Sequence, residues 1–304
     1  MEQIINMIIA HNSSLVGNNP VIEKINVGFT NLVYKIDNKY ILKICEKVEN
    51  ENSFQNEIKF YLENNGNNNI PVLYSYSIDK SEIPCFYEII ELLDGISLYS
   101  IWHTFNESSR EDVVRQLCDI LKSFHKELGC FYSWPQYIKE NVSKHLEIVC
   151  GKGLLSDGEV LLVQSAIKNF DIYLASNSFS FVHNDIHFDN IIYNGEVIKI
   201  IDFERSLYAP FDYEFGLFFR MVKTPWKFAS EETEKYVKQE DYESIIGYIK
   251  KYYPEVFEVS YLKERLAIYD LCYDLELYCS YPNSLELKKQ ILDSTNIIIN
   301  NDMF

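Results

Sequence analysis

Three polar residues in one short segment, Asp185, Asn190 and Asp202, have the types and the spacing that phosphoryl transfer needs. A carboxylate such as Asp185 can orient an attacking hydroxyl group, while an amide oxygen and a second carboxylate can hold Mg²⁺ on a nucleoside triphosphate. Because Mg²⁺ takes most of its other ligands from phosphates and water, one Asn and one Asp suffice. The segment therefore predicts Asp185 as the catalytic residue and Asn190 and Asp202 as metal ligands. The alternative is a polar hairpin turn that carries these residues by chance.

The surrounding residues make the pattern more specific. A strand-like run at 197–201 leads directly into Asp202, and a motif H-x-D-x-H-x-x-N is formed by His183, Asp185, His187 and Asn190. This segment resembles the catalytic and metal loops of the aminoglycoside phosphotransferase family, a branch of the protein-kinase-like enzymes. The chain departs from the common family pattern in having Phe203 after the metal Asp instead of Trp. Glu204 stands where protein kinases carry a glycine.

The periodicity of the chain changes near residue 94. Residues 21–44, 71–79 and 84–92 alternate as strands do, and residues 50–64 and 109–128 have helical spacing. The resemblance implies an α+β, two-lobe protein-kinase-like fold. We expect a small β-rich, nucleotide-clamping lobe over residues 1–93 and a larger, mainly helical catalytic and acceptor-binding lobe over residues 94–304.

Lys43 lies between Leu42 and Ile44 in an alternating strand, so its ammonium group is predicted to point away from the core. There it could hold the α- and β-phosphates of a nucleotide. Glu57 in the next helix is its expected anchor, in the manner of the lysine–glutamate pair of kinases, and Glu51 is the rival. An exposed strand lysine and a solvated helix acid are the alternatives.

The turn before this strand is expected to cover the phosphates. It contains one glycine, and the resemblance implies nucleotide-binding roles for Gly28, Thr30 and Asn31. Backbone N–H groups in such a turn can meet phosphate oxygens. An ordinary hairpin turn is the alternative.

The strand at 86–91 resembles the gatekeeper strand and hinge of the family. In that register Ile90 is the gatekeeper, and the backbone of Glu91 and Leu93 would face the purine. The sequence does not distinguish adenine from guanine, so ATP and GTP both remain candidates.

The helical tail carries many acids among aromatic residues. Asp270 and Asp274 are four residues apart and share a helix face, which costs stability unless a cation lies between them. This pattern favours a cationic acceptor bound by Asp270, Asp274, Glu276 and Trp226. A solvated acidic face is the alternative.

Other polar residues around the loops are expected to support them. We interpret His183 and His125 as structural residues and expect Asp212 to anchor the catalytic loop by accepting hydrogen bonds. His187 could approach the γ-phosphate or brace the loop.

Composition limits the partners and the compartment. The 304 residues carry a formal net charge of −17, which disfavours nucleic acid and favours a cationic partner. Seven scattered cysteines without a C-x-x-C pair are typical of reduced thiols in a cytoplasmic protein. The apolar run at the N-terminus is too short to span a membrane. A cytoplasmic monomer without nucleic acid or membrane partners is expected.

These observations predict an enzyme that is a phosphotransferase with an alcohol group as acceptor. It would need Mg²⁺ and would transfer the γ-phosphoryl group of ATP or GTP to a small cationic hydroxylated molecule, with an aminoglycoside antibiotic as the leading acceptor. Such an activity would confer antibiotic resistance. Kinases of choline, an amino-alcohol or another small molecule are the alternatives within enzymes, and a non-catalytic nucleotide-binding pseudokinase is the alternative outside them.

Overall fold

The computed structural model describes residues 1–25, 31–176 and 178–300. The chain divides into two compact units. The first unit comprises Met1–Asn106, Asp185–Leu207 and Ala229–Val237, and the second comprises Glu107–Asn184, Tyr208–Phe228 and Lys238–Phe304. These units are defined by the packing of their residues and not by which ligand they bind. They therefore do not test the expected lobe boundary after residue 93, which stays a prediction.

A five-stranded antiparallel sheet organises the first unit. The strands are β1 (Ile22–Ile25), β2 (Leu32–Ile36), β3 (Tyr40–Cys45), β4 (Leu73–Ser77) and β5 (Phe86–Glu91). Their spatial order is β1-β2-β3-β5-β4, so β3 at the centre of the sheet has β5 as a neighbour. Asp37 and Asn38 connect β2 to β3 with φ angles of 50° and 51°, the left-handed geometry of a type I′ turn.

Helices pack on this sheet through two apolar clusters. Helix α1 (Glu2–His11) and the short α2 (Ser13–Val16) contribute Ile8, Ile9 and Val16 to a cluster with the inward side chains of β2, β3 and β5. Helix α3 (Glu51–Glu63) contributes Phe54 and Ile58 to the second cluster. Lys43 lies on the side of the sheet that α3 covers, because its ammonium group reaches Glu57 of that helix.

A small three-stranded sheet in the first unit carries the segment that leads into Asp202. Strands β6 (Ile96–Ser97), β8 (Ile191–Tyr193) and β9 (Ile198–Ile200) lie in the order β6-β8-β9. Helix α4 (Leu98–Ile101) follows β6 directly. The sheet brings the chain after β5 next to the hairpin that ends at Asp202.

The second unit is mainly helical. Its helices are α5 (Glu107–Phe124), α6 (Trp134–Gly151), α7 (Asp157–Ile167), α8 (Phe170–Tyr173), α9 (Glu214–Lys223), α10 (Ile245–Tyr252), α11 (Leu262–Ser280) and α12 (Leu285–Ile299). The central helix is α11, which has buried side chains on several sides and packs against α6, α9 and α12. Strands β7 (Ser180–Val182) and β10 (Leu207–Ala209) pair with each other.

Side-chain caps explain where several of these helices begin. Ser156 and Glu159 form a reciprocal capping box at α7, and Ser284 accepts a hydrogen bond from the backbone N–H of Leu287 at α12. Ser133 caps α6 by accepting a hydrogen bond from the backbone N–H of Gln136.

The five-stranded sheet of the first unit and the helices of the second confirm the expected α+β arrangement, with a β-rich part and a helical part. None of the helices in the described ranges is long and apolar enough to cross a membrane.

Gly95 is required where the chain leaves β5. Its φ is +132°, and a Cβ atom there would lie 2.6 Å from the carbonyl oxygen of Tyr193 in β8. Both the left-handed backbone and the close approach exclude a side chain.

We predict that Gly95→Ala lowers the free energy of unfolding by about 1–3 kcal/mol, because strain of this kind costs that much per residue. Urea denaturation measures it. Gly247→Ala is the control, since Gly247 lies inside α10 with no atom near the added methyl group. That variant should be neutral or more stable by up to about 1 kcal/mol. Equal effects of both substitutions would contradict the assignment.

Candidate functional site

Lys43 is turned away from the apolar cluster of the sheet. Leu42 and Ile44 on either side are fully buried at the sheet core, whereas the Lys43 side chain is 12% exposed. The strand alternation predicted from the sequence is therefore present. It places the ammonium group next to α3 and to the segment that follows β9.

The ammonium group of Lys43 joins three carboxyl groups from different elements. Its Nζ lies 2.7 Å and 2.9 Å from the two carboxylate oxygens of Glu57 and 2.9 Å from Oδ1 of Asp202. Glu88, opposite Lys43 in the β3–β5 register, lies 4.0 Å from Nζ. We call Lys43, Glu57, Asp202 and Glu88 the lysine cluster.

The structure distinguishes between the two candidate partners of Lys43. Glu57 makes both hydrogen bonds described above, while Glu51 pairs with Lys80 near the start of α3. The predicted Lys43–Glu57 contact thus forms. Their role in nucleotide binding stays a prediction.

Glu57 also fixes the segment after Asp202. Its Oε1 accepts hydrogen bonds from the Tyr61 hydroxyl group at 3.4 Å and from the backbone N–H of Phe203 at 3.3 Å. The Phe203 ring stacks on Phe60, with ring centroids 3.7 Å apart. Helix α3 therefore holds Asp202 through both a backbone contact and an aromatic contact of the next residue.

The β8–β9 hairpin brings Asn190 and Asp202 together. Ile191 pairs with Ile200, and the backbone N–H of Ile201 donates to the carbonyl oxygen of Asn190 at 3.0 Å. Asp202 follows with φ of 69°, a left-handed conformation that Asp tolerates better than most residues. The strand predicted at 197–201 thus delivers Asp202 beside Asn190.

Asn190 is hydrogen-bonded to Asp185. Its amide nitrogen donates to the backbone oxygen of Asp185 at 2.9 Å and to the carboxylate Oδ2 at 3.4 Å. Nε2 of His187 lies 3.8 Å from the same Oδ2. The three residues that the sequence singled out are therefore neighbours in the first unit.

The donor set fits Mg²⁺. Because the amide nitrogen of Asn190 is engaged with Asp185, the amide oxygen is the atom that remains to act as a ligand, and Asp202 adds a carboxylate. Within the described residues, no cluster of three or more His, Cys, Asp or Glu side chains is arranged to hold a metal. Mg²⁺ on nucleotide phosphates does not need one.

The surroundings favour the charged form of Lys43 but the neutral form of Glu88. Burial would lower the pKa of Lys43, but the carboxyl groups of Asp202, Glu57 and Glu88 outweigh it, so the pKa lies well above its usual value. Burial and the neighbouring Glu57 raise the pKa of Glu88 well above 4.5.

Part of the expected phosphate-covering turn lies outside the described residues. Gly28 and Thr30 belong to that part. Asn31 is described, and its amide nitrogen donates to Oε2 of Glu204 at 3.1 Å. This bond links Asn31 to the segment that follows Asp202.

The predicted hinge follows the central strand. Ile90 is buried opposite Ile41, and the backbone N–H of Glu91 donates to the carbonyl oxygen of Val72 at 2.9 Å. Of the two backbone groups of Glu91, only the carbonyl group could therefore meet a ligand. Beside the hinge is a cavity of about 180 Å³, lined by Glu91, Leu93, Asp94, Ile192, Asn194, Val197 and Lys199.

The acids of the tail are paired inside the protein. Arg220 of α9 donates to Oδ1 of Asp270 at 3.0 Å and to Oδ1 of Asp274, and its guanidinium group lies over the Tyr273 ring. Asp274 is only 1% exposed. The cation that the Asp270–Asp274 spacing called for is therefore Arg220, so this spacing no longer argues for a cationic ligand.

The other two tail residues are at the surface. Trp226 and Glu276 are both exposed in the second unit. An acceptor-binding role for them, and for Asp270 and Asp274, stays a prediction.

A different acid from the expected one holds the chain before Asp185. Glu214 accepts hydrogen bonds from the backbone N–H groups of His183 at 2.6 Å and Asn184 at 3.0 Å. Asp212, which we expected in this place, instead pairs with Arg265 at 2.6 Å and 2.8 Å and accepts from the Tyr269 hydroxyl group at 2.8 Å. The motif A-P-F-D-Y-E contains both acids, and the sequence offered no means to choose between them.

Two histidines lie in the interior of the second unit, as expected of structural residues. His183 is fully buried. His125 has Nε2 3.6 Å from Glu214 and Nδ1 3.1 Å from the Tyr253 hydroxyl group.

Glu88 was not predicted from the sequence to lie beside Lys43. The signal was an acid within the apolar strand F-Y-E-I-I, two residues before Ile90 and so on the same strand face.

Comparison with known proteins identifies the family. The model of the phosphotransferase enzyme family matches residues 21–245. The chain belongs to this family. It is accordingly a phosphotransferase with a kinase-like fold. A search of curated proteins finds no matching sequence.

Several solved structures share the fold. The ADP-bound aminoglycoside phosphotransferase APH(2'')-Ib has a TM-score of 0.68 at 16% identity, covering 96% of this chain and 98% of that one. The streptomycin–ATP–APH(2")-IIa ternary complex has a TM-score of 0.67 at 17% identity, covering 96% and 97%. A candidate fructosamine-3-kinase from Thermobifida fusca has a TM-score of 0.62 at 12% identity, covering 97% and 99%. At these identities the likeness shows the fold alone.

We predict that Arg220→Leu lowers the free energy of unfolding by about 3–5 kcal/mol, because it leaves Asp274 buried without its cation. Adding Asp274→Asn should restore part of the loss in urea denaturation. Lys227→Met is the control. It removes the cation of the pair with Glu286, whose side chains are 35% and 61% exposed, and should cost less than about 1 kcal/mol. An Arg220→Leu protein as stable as the control would contradict the internal role of this arginine.

Proposed function

We propose that this phosphotransferase is a small-molecule kinase that transfers the γ-phosphoryl group of ATP or GTP to a hydroxyl group of a small cationic acceptor. One observation carries the proposal. Asp185, Asn190 and Asp202 are neighbours in one compact unit, and Asp202 is bonded to the Lys43–Glu57 pair. This is the set of groups that positions a nucleotide, its metal and an acceptor hydroxyl group.

Lys43 and the hinge form the nucleotide side of the site. The ammonium group held by Glu57 would meet the α- and β-phosphates, and Gly28, Thr30 and Asn31 would cover them. Ile90 would line the base pocket, with the Glu91 carbonyl and the Leu93 backbone at the purine edge. The cavity beside Glu91 and Leu93 supports this placement.

Asn190 and Asp202 would hold the metal. Mg²⁺ supplies neutralisation of phosphate charge when it is bound. Asp202 would then exchange its contact with Lys43 for the metal, and Asn190, fixed by Asp185, would present its amide oxygen. The pairing of Ile201 with Asn190 supports this arrangement, because it keeps the two ligands together.

Asp185 would act on the acceptor. Its carboxylate would accept a hydrogen bond from the attacking hydroxyl group and take its proton as the bond to phosphorus forms. The hydrogen bond from Asn190 fixes the carboxylate for that task. His187, 3.8 Å away, would brace the same oxygen.

An aminoglycoside is the leading acceptor. The net charge of −17 favours a cationic molecule, and structural relatives include complexes with gentamicin and streptomycin. An aminoglycoside kinase of this kind would confer antibiotic resistance. The candidate fructosamine-3-kinase among the relatives keeps a second class open, a sugar amine. We further propose that the enzyme works as a cytoplasmic monomer with its lobe boundary after residue 93.

Asp185→Asn is expected to keep nucleotide binding while lowering kcat by at least about a hundredfold, because the carboxylate acts mainly in the transition state. Steady-state kinetics and calorimetric nucleotide binding measure the two effects. Asp189→Asn, which changes the next acid of the loop, is the comparison. Asp185→Asn activity above roughly a tenth of the wild-type kcat, with chemistry rate-limiting, would remove Asp185 from this role.

The acceptor is identified by a panel of labelled-nucleotide assays. Aminoglycosides, choline, a fructosamine and neutral sugars are compared at low and high salt. For a cationic acceptor, kcat/KM should fall as salt screens attraction over about 8–10 Å, while kcat changes little. A neutral best acceptor with a salt-independent kcat/KM would overturn the cationic proposal and leave the kinase proposal intact. Nucleotide binding without transfer to any acceptor would favour a pseudokinase.

A further inference from the structure

Glu204 is an acid beside the candidate site to which the proposed mechanism gives no role. It lies two residues after Asp202, and its Oε2 accepts a hydrogen bond from the amide nitrogen of Asn31 at 3.1 Å. The two bonded residues are 173 positions apart in the chain, yet both belong to the first unit. The bond therefore joins the residue that precedes β2 to the segment that follows Asp202.

This contact fixes how the Asn31 side chain is turned. An ionised carboxylate only accepts hydrogen bonds, so the amide must present its nitrogen to Glu204 and its oxygen elsewhere. Among the described residues, the amide oxygen Oδ1 has no hydrogen-bond partner, although that atom is buried. Within this part of the chain Glu204 is thus the partner that holds the amide. A buried oxygen of this kind calls for a partner from water or from a ligand.

Glu204 is carried by a firmly placed segment. The preceding residue, Phe203, is fully buried and donates its backbone N–H to Glu57 at 3.3 Å. Its ring stacks on Phe60 with the ring centroids 3.7 Å apart. Helix α3 therefore fixes the backbone next to Glu204, so the carboxylate is a fixed support for Asn31.

The charge of Glu204 limits how it can act on a nucleotide. A carboxylate and a phosphate are both anions and repel each other, so Glu204 is unsuited to bind phosphate itself. The amide that it holds is neutral and carries two N–H groups, of which the bond to Glu204 uses one. Asn31 is therefore the group through which Glu204 can act on the phosphates.

We propose that Glu204 is a positioning residue that holds the Asn31 amide in the orientation in which it meets the nucleotide phosphates. This inference rests on the nucleotide site proposed above, in which Asn31 belongs to the phosphate side. An amide that is already held loses less conformational freedom when the nucleotide binds, so the hydrogen bond tightens binding. Glu204 itself makes no contact with the nucleotide.

The test compares Glu204→Ala with Glu204→Gln in calorimetric binding of Mg²⁺–ADP and Mg²⁺–GDP. Both substitutions remove the same charge, but only Gln keeps an acceptor oxygen for the Asn31 amide. Glu204→Ala should therefore bind the preferred diphosphate about threefold to tenfold more weakly than Glu204→Gln, which is the factor by which ordering one side chain weakens binding. Binding of the corresponding nucleoside, which has no phosphate, should be equal in the two variants.

Asn31→Ala removes the same hydrogen bond from its other end. In that background Glu204→Ala and Glu204→Gln should bind the diphosphate equally, because no amide is left to hold. Glu204→Leu, which also lacks an acceptor, takes the place of Glu204→Ala if that variant does not fold. The control Glu63→Ala removes an exposed acid at the end of α3 and should bind like the wild type.

The outcomes separate this inference from the proposed function. If Glu204→Ala and Glu204→Gln bind the diphosphate equally in the presence of Asn31, the positioning role is wrong and the nucleotide site stands. The same holds if their difference persists with Asn31→Ala, because Glu204 would then act through another group such as the metal. It also holds if nucleoside binding weakens by the same factor. If the wild type binds neither nucleotide, the nucleotide site and the positioning role both fail.

Discussion

The ammonium group of Lys43 is the interaction on which the candidate site depends. It is the cation among Glu57, Asp202 and Glu88. The side chains of Glu57 and Glu88 are fully buried, that of Lys43 is 12% exposed and that of Asp202 is 34% exposed. Breaking a buried ion pair by removing one partner typically costs about 3–5 kcal/mol, because the remaining charge stays out of water. Without Lys43 the carboxyl groups of Glu57 and Asp202, which it bridges, would repel one another. The cluster thus holds in place elements that are far apart in sequence.

The other residues of the site are linked to the lysine cluster by hydrogen bonds and by short stretches of the chain. Glu57 accepts a hydrogen bond from Phe203, which positions Asp202, and the β8–β9 hairpin then places Asn190 beside it. Asn190 in turn holds Asp185. Asp202, Asn190 and Asp185 are therefore one, two and three contacts from Lys43. We propose that this chain of contacts keeps the three residues in a fixed geometry before substrate arrives, because positioning is the main protein contribution to phosphoryl transfer.

The sequence pattern was sufficient to predict those features of the site that depend only on residues close together in the chain. The alternation around Lys43 and the spacing from Asp185 to Asp202 depend on neighbours in the sequence, and the structure has both. Contacts between residues that are far apart in the sequence could not be predicted from such local patterns. Arg220 lies 54 residues from Asp274, and no periodicity marks it as the cation between two acids. Glu88 resembles a surface acid in a strand until the register with β3 is known. Glu214 and Asp212 differ only in which distant groups they meet.

The most direct test of the account is the effect of Asp202→Ala on nucleotide binding with and without Mg²⁺, measured by calorimetry. Asp202 contacts Lys43 in the free protein, and we propose that it contacts the metal in the nucleotide complex. The wild type should bind nucleotide more tightly with Mg²⁺, and Asp202→Ala should lose that increase while keeping its metal-free affinity. Equal weakening with and without Mg²⁺ would contradict the account, because Asp202 would then act only through the structure of the lysine cluster.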